Sequence, residues 1–148
     1  MLNWFDVKVK YEKTLEEGKI AKIVEEYLFD ALSFTEAEAR VNEELKPFIS
    51  GEFITAAIKR EKINEMFPNA NGDRWYRSKV AFITLDEVKA VEKRSVSTMM
   101  IQANDILDAW NVLKEGMKGS LADYEVVSIV ETKIIDVYNY EAPKEEEK

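Results

Sequence analysis

The feature that most restricts the fold is an internal echo. WFDVKVKY, from Trp4 to Tyr11, and WYRSKVAF, from Trp75 to Phe82, both open on tryptophan and then alternate in polarity. Phe5, Val7, Val9 and Tyr11 share one parity; Tyr76, Ser78, Val80 and Phe82 hold the corresponding places in the second copy. A period of two marks a half-buried strand. A chain that writes the same strand twice, with matching sequence after each, is restricted to folds built from two similar units.

The echo continues beyond these strands. EKTLEEGK, with Gly18, reads as a hairpin turn into a second strand around Ile23 to Phe29. ALSFTEAEARVNEELKPF then changes period. Ser33 with Glu36 fits a capping box, Thr35 with Glu38 offers a second frame, and Phe34, Ala37, Val41 and Leu45 mark one helical stripe. Pro47 and Gly51 close that helix before EFITAAIK, a third strand. In the second copy LDEVKAVEK takes the place of the turn without a glycine, and MMIQAND stands opposite YLFDALS. Asn104 or Asp105 caps a helix whose stripe is Ile106, Ala109, Leu113 and Met117, and YEVVSIV closes the unit. A weaker echo sets IKREKINEMF beside IVETKIIDVY, aligning Ile63 with Ile134 and Phe67 with Tyr138 as a short further strand or a brief helix.

The expected fold is α+β, made of tandem duplicated β-β-α-β units. Each hairpin is antiparallel, and the crossover helix returns the third strand parallel to the second. Edge-to-edge pairing of the units gives a mixed six-stranded sheet with both helices packed on one face, and is preferred to stacking their apolar sheet faces against one another, because one modest chain completes a two-layer core more easily than two separate ones. Residues 1–140 are then a single pseudo-symmetric domain, with repeat one at about 4–67, a PNANGDR linker at about 68–74 and repeat two at about 75–138. EAPKEEEK, residues 141–148, has no apolar anchor and reads as a disordered acidic tail.

Composition bears mainly on chemistry. Cysteine and histidine are both absent, which removes thiol nucleophiles, disulfides, Ser-His-Asp triads and the common zinc-ligand mixtures. There is no phosphate-binding glycine loop, and no cofactor is expected. Carboxylates remain, but Glu25 and Glu26 are adjacent on a strand and point to opposite faces, so they make a poor pair. Metal-assisted carboxylate hydrolysis is therefore an alternative with no assignable catalytic residue and no metal ligand set. The chain has no signal-peptide pattern and no bilayer-length apolar run, so a cytoplasmic protein without membrane contact is expected.

Two surfaces follow from strand parity. Trp4 shares the outer parity with Lys8, and Trp75 shares it with Arg77 and Lys79, giving two aromatic and cationic platforms for a protein partner. The competing reading is that each tryptophan wraps an edge of the core. Lys59, Arg60, Lys62, Arg74, Arg77, Lys79, Lys93 and Arg94, with Trp75 and Tyr76, form a second candidate surface for single-stranded nucleic acid. Against it stands a net charge of -8, from 21 basic and 29 acidic residues, which repels a phosphate backbone unless the cations gather.

The stretches DALSFTEAEARVNEELKPFISGEF, DRWYRSKVAFITLDE and EGMKGSLADYEVVSIVET resemble an uncharacterised family of conserved hypothetical proteins from Bacteroides-like bacteria and their phages. The likeness runs from Trp4 to Tyr138 and implies a bacterial or phage setting, without carrying over any site residue. The expected function is a non-enzymatic intracellular protein-interaction or adaptor module, homo-oligomeric through self-association or bound to another protein.

Overall fold

In the computed structural model, residues 2–139 are described, so the acidic tail lies outside the described residues. The strands and helices follow the order β1 (Asn3–Thr14), β2 (Ile20–Ala31), α1 (Phe34–Leu45), β3 (Phe53–Glu61), β4 (Glu65–Phe67), β5 (Arg74–Asp86), β6 (Val91–Ala103), α2 (Ile106–Gly116), β7 (Asp123–Glu131) and β8 (Ile134–Tyr138). The class is α+β, dominated by strands.

The expected six-stranded sheet is replaced by two four-stranded mixed sheets, ordered β3-β1-β2-β8 and β4-β6-β5-β7. In each, the hairpin is antiparallel, as its turn requires. The third strand runs in the same direction as the second but does not pair with it. β3 and β7 pair antiparallel with β1 and β5, on the far side of the hairpin. The crossover helix thus steps over one strand, which leaves the free side of β2 and β6 for another partner.

That partner comes from far along the chain. β8 lies parallel to β2, pairing Asp136, Val137 and Tyr138 with Tyr27, Leu28 and Phe29. β4 lies parallel to β6, pairing Glu65, Met66 and Phe67 with Met99, Met100 and Ile101. The weak echo at the end of each copy is therefore a strand that the chain adds to the other sheet. Two compact units result: one holds the chain up to Glu61 and again from Ile134, and the other runs Lys62–Lys133.

In the first unit Phe5, Val7 and Val9 of β1 bury against Tyr27, Phe29 and Ala31 of β2, closed by Ala37, Val41 and Leu45 of α1. In the second unit Tyr76, Val80, Met99 and Ile101 meet Ala109, Leu113 and Met117. Both helices start as their sequences require. Ser33 Oγ accepts from the Glu36 amide at 3.1 Å, while the Leu32 amide donates to Glu36 Oε1 at 3.3 Å. Asp105 Oδ1 accepts from the Asp108 amide at 2.7 Å, while the Asn104 amide donates to Asp108 Oδ2 at 2.9 Å. Asp105, not Asn104, is the cap, and the Thr35 frame is unused.

The PNANGDR segment is fastened by Gln102. Its Oε1 accepts from the Asn69 amide and its Nε2 donates to the Gly72 carbonyl, both at 3.0 Å. A Cβ on Gly72 would lie 2.6 Å from the backbone of Ala103, so the close approach needs glycine.

Candidate interaction surface

Strand parity places Trp4 and Trp75 on the sheet faces away from the helices, but the two are not equivalent platforms. Trp4 is half-buried; Trp75 is 5% exposed, and its carbonyl accepts from both the amide and the hydroxyl of Thr132, at 2.9 and 2.8 Å. A ring closed off to this degree offers no stacking face. Lys8 is exposed and 4.0 Å from Glu26, Arg77 is half-buried and Lys79 is exposed.

Within the second unit the nucleic-acid set is dispersed for three reasons. Tyr76 is 1% exposed because its inward parity puts it in the core of the second unit, and so it is unavailable for base stacking. Arg74 pairs with Glu131 at 3.4 Å, Lys93 with Asp86 at 3.7 Å and Arg94 with Glu125 at 2.9 Å, so carboxylates offset three of the cations. Arg74 opposes Ala103 while Arg94 opposes Ile83, nine residues along the same hairpin, which is about 30 Å of strand. Lys59 and Arg60 end β3, Lys62 follows it, and Arg60 lies over the rings of Phe5 and Phe34 at 5.6 and 5.4 Å. Among the described residues no group of three or more metal-ligating side chains converges, and no helix is long and apolar enough to cross a membrane.

The free sheet edges β3 and β7 each carry a bulge. The register shifts between Lys8 and Val9 leave Ala56 without an opposing residue, and those between Lys79 and Val80 do the same for Val127. A bulge breaks the ladder that an added strand would extend, and it is one way sheets protect an open edge.

An opening lies in the first unit, at the turn end of its hairpin. It is a cavity of about 760 Å³. Ile54, Lys10 and Val24 form one row across β3, β1 and β2, with Glu12 opposite Lys22 and Thr14 opposite Ile20 in the following rows. These residues share the face away from α1. Ile20, Val24 and Ile54 are 66%, 57% and 63% exposed, three branched aliphatic side chains held in water and interleaved with Lys10 and Lys22 on that face. Sequence parity carries the signal: Ile20, Val24 and Ile54 are apolar residues on the parity that otherwise holds Lys10, Glu12 and Lys22.

On the opposite face Glu25 is the converse case, a carboxylate on the inward parity. Tyr27 Oη donates to Glu25 Oε1 at 3.2 Å, and Tyr138 stacks on Phe29 with ring centroids 4.6 Å apart. Burial, followed by the charge and hydrogen bonding of Glu25, holds the Tyr27 phenol well above its usual range. Tyr11 is raised by burial and then by its hydrogen bond to Glu25; Tyr138 is raised by burial and then by Asp136, Glu44 and Glu25. All three phenols therefore stay protonated. At the corresponding register positions of the second unit stand Phe82, Ser97, Met99 and Phe67, where a hollow of about 250 Å³ opens among Phe67, Phe82 and Met99.

The family described as Domain of unknown function (DUF4494) matches residues 3–140 of the chain. The chain matches no curated protein and no solved structure.

Proposed function

We propose that this chain, which belongs to the DUF4494 family, is a non-enzymatic protein-interaction module whose binding face is the cavity face of its first unit. The carrying observation is the exposed aliphatic group Ile20, Val24 and Ile54 around an opening of about 760 Å³. Exposed apolar side chains sharing one face with charged ones are the usual mark of a protein-binding patch. On this reading the two units descend from one duplicated β-β-α-β ancestor, the first having kept the binding face. The equal strand orders and the matching β4 and β8 registers support that descent. A cytoplasmic, bacterial or phage setting belongs to the same reading.

The test compares two immobilised variants in an extract of the source cells. Ile54→Lys places a charge at the β3 end of the row Ile54, Lys10 and Val24; Val96→Lys places one on the same face of the second unit, where Val96 holds the position that Val24 holds in the first. Proteins retained by the wild type and by Val96→Lys are expected to be lost with Ile54→Lys. Identical retention by all three, with native circular dichroism in each, overturns the proposal.

A further inference from the structure

We infer that the Asn71–Gly72 linkage is a site of spontaneous deamidation that the fold holds closed through Gln102, so that the modified residue records opening of the turn between β4 and β5. Among the asparagines of the chain, Asn71 alone is followed by glycine. That order is the reactive one, because the attacking atom is the backbone nitrogen of the next residue and glycine carries no Cβ to obstruct it. The Gly72 nitrogen bonds to the side-chain carbonyl carbon of Asn71 and loses its proton to solvent; the side-chain amide nitrogen takes one up and leaves as ammonia. A five-membered imide results. Water then opens it at either carbonyl, giving aspartate or the β-linked isomer in which the main chain runs through the side chain. Water is the sole co-reactant, and no electron changes hands.

The folded chain exposes one reactant and blocks the other. Asn71 is exposed and within reach of water. Gly72 is buried, and its amide donates to the Asn69 carbonyl at 2.8 Å. An amide proton committed to a carbonyl is not released, and the nitrogen beneath it cannot swing toward Asn71 while that bond lasts. Gln102 keeps the bond in place, since its side chain joins both ends of the turn: Oε1 accepts from the Asn69 amide and Nε2 donates to the Gly72 carbonyl, each at 3.0 Å. The backbone of Ala103 backs the glycine so closely that a Cβ there would lie 2.6 Å away, which leaves no room for the turn to shift as a body. Reaction therefore waits on local opening, whose free energy sets the fraction of time that the nitrogen is free. The product does not fit back. The β-linked isomer lengthens the main chain and adds a carboxylate, so the spacing that Gln102 spans is lost. β4, three residues that end at Phe67 just before the turn, then loses its tether.

The test follows the purified full chain in mildly alkaline buffer, by peptide mass spectrometry for the loss of Asn71 and by isoaspartyl methyltransferase labelling for the isomer. The folded wild type is expected to lose Asn71 at least about tenfold more slowly than the same chain held unfolded in urea. Gln102→Ala, with native circular dichroism, is expected to raise the folded rate toward the unfolded one. Gln102→Glu keeps the acceptor for Asn69 but not the donor for Gly72 and is expected to fall between the two; it decides the question if Gln102→Ala does not fold. Equal rates in the folded and unfolded wild type, an unfolded chain that keeps Asn71, or folded Gln102 variants that keep the wild-type rate each overturn the inference.

Discussion

Glu25 and its tyrosines show how single residues depart from the pattern of their strand. A carboxylate on the inward parity is accommodated because Tyr27 donates to it, with the Tyr27 and Tyr11 phenols both held above their usual range. The consequence appears at alkaline pH. An unfolded phenol ionises near 10.0, whereas the folded Tyr27 keeps its proton; above that pH the unfolded state binds fewer protons, so stability falls as pH rises. Denaturant midpoints measured between about pH 9 and 11 are expected to decline, and to decline less in Tyr27→Phe. An equal slope in both proteins would show that this phenol has no part in the loss. Ala90 is a second such residue. Its φ of 52° is left-handed, in a turn where Asp86 Oδ1 accepts from the amides of Val88 and Lys89 at 3.1 and 3.2 Å. A residue with a Cβ is disfavoured in that region by roughly 1–2 kcal/mol. Set against the greater backbone entropy that glycine loses, Ala90→Gly is expected to stabilise the chain by about 0.5 kcal/mol, measurable as a rise in the unfolding midpoint.

At the scale of elements, the two helices use one device. Each has an acceptor side chain at the cap, Ser33 or Asp105, and an acidic residue three places on that turns back to the amide preceding the cap. Two amides at each start are thereby satisfied that the helix itself cannot serve. Ser33→Ala and Asp105→Ala are each expected to cost about 1 kcal/mol, read as a lower denaturant midpoint with an unchanged slope. A change well below that in either variant would mean water replaces the cap without penalty. Strands divide differently. The hairpin strands announce themselves by parity and length, but β4 and β8 are 3 and 5 residues long and name no partner. Their pairing follows from the free sides that the crossover helices leave on β2 and β6.

For the whole molecule, the exchange of β4 and β8 makes the two units unequal in the chain. The second is continuous from Lys62 to Lys133 and contains every strand of its sheet. The first is interrupted and needs β8 from beyond the second. A fragment spanning residues 62–133 is therefore expected to melt cooperatively, as a single transition by circular dichroism. A fragment of residues 1–61 is expected to lack a cooperative transition, since β2 is left with an open edge and Phe29 without its stacked Tyr138. Cooperative melting of the shorter fragment would show that β8 is dispensable to the first core.

Local chemistry determined much of this protein without any tertiary information. Alternating polarity placed the two long hairpins, the capping residues placed both helix starts, and the repeated stripe named Ala37, Val41, Leu45, Ala109, Leu113 and Met117 as core; its first members, Phe34 and Ile106, sit in the opening turn of each helix and are 48% and 58% exposed. Partner choice was decided only in three dimensions. Whether β3 meets β1 or β2, and which sheet receives β4 or β8, depends on which edge is left free once the helices have crossed, and that information is spread over residues far apart in the chain. The same holds for the candidate site. Parity put Trp4 and Trp75 on one kind of face, but only tertiary burial distinguished the closed ring of Trp75 from the exposed side chains of Ile20, Val24 and Ile54. Exposure depends on what the rest of the chain covers, which is why neighbouring residues in the sequence could not reveal it.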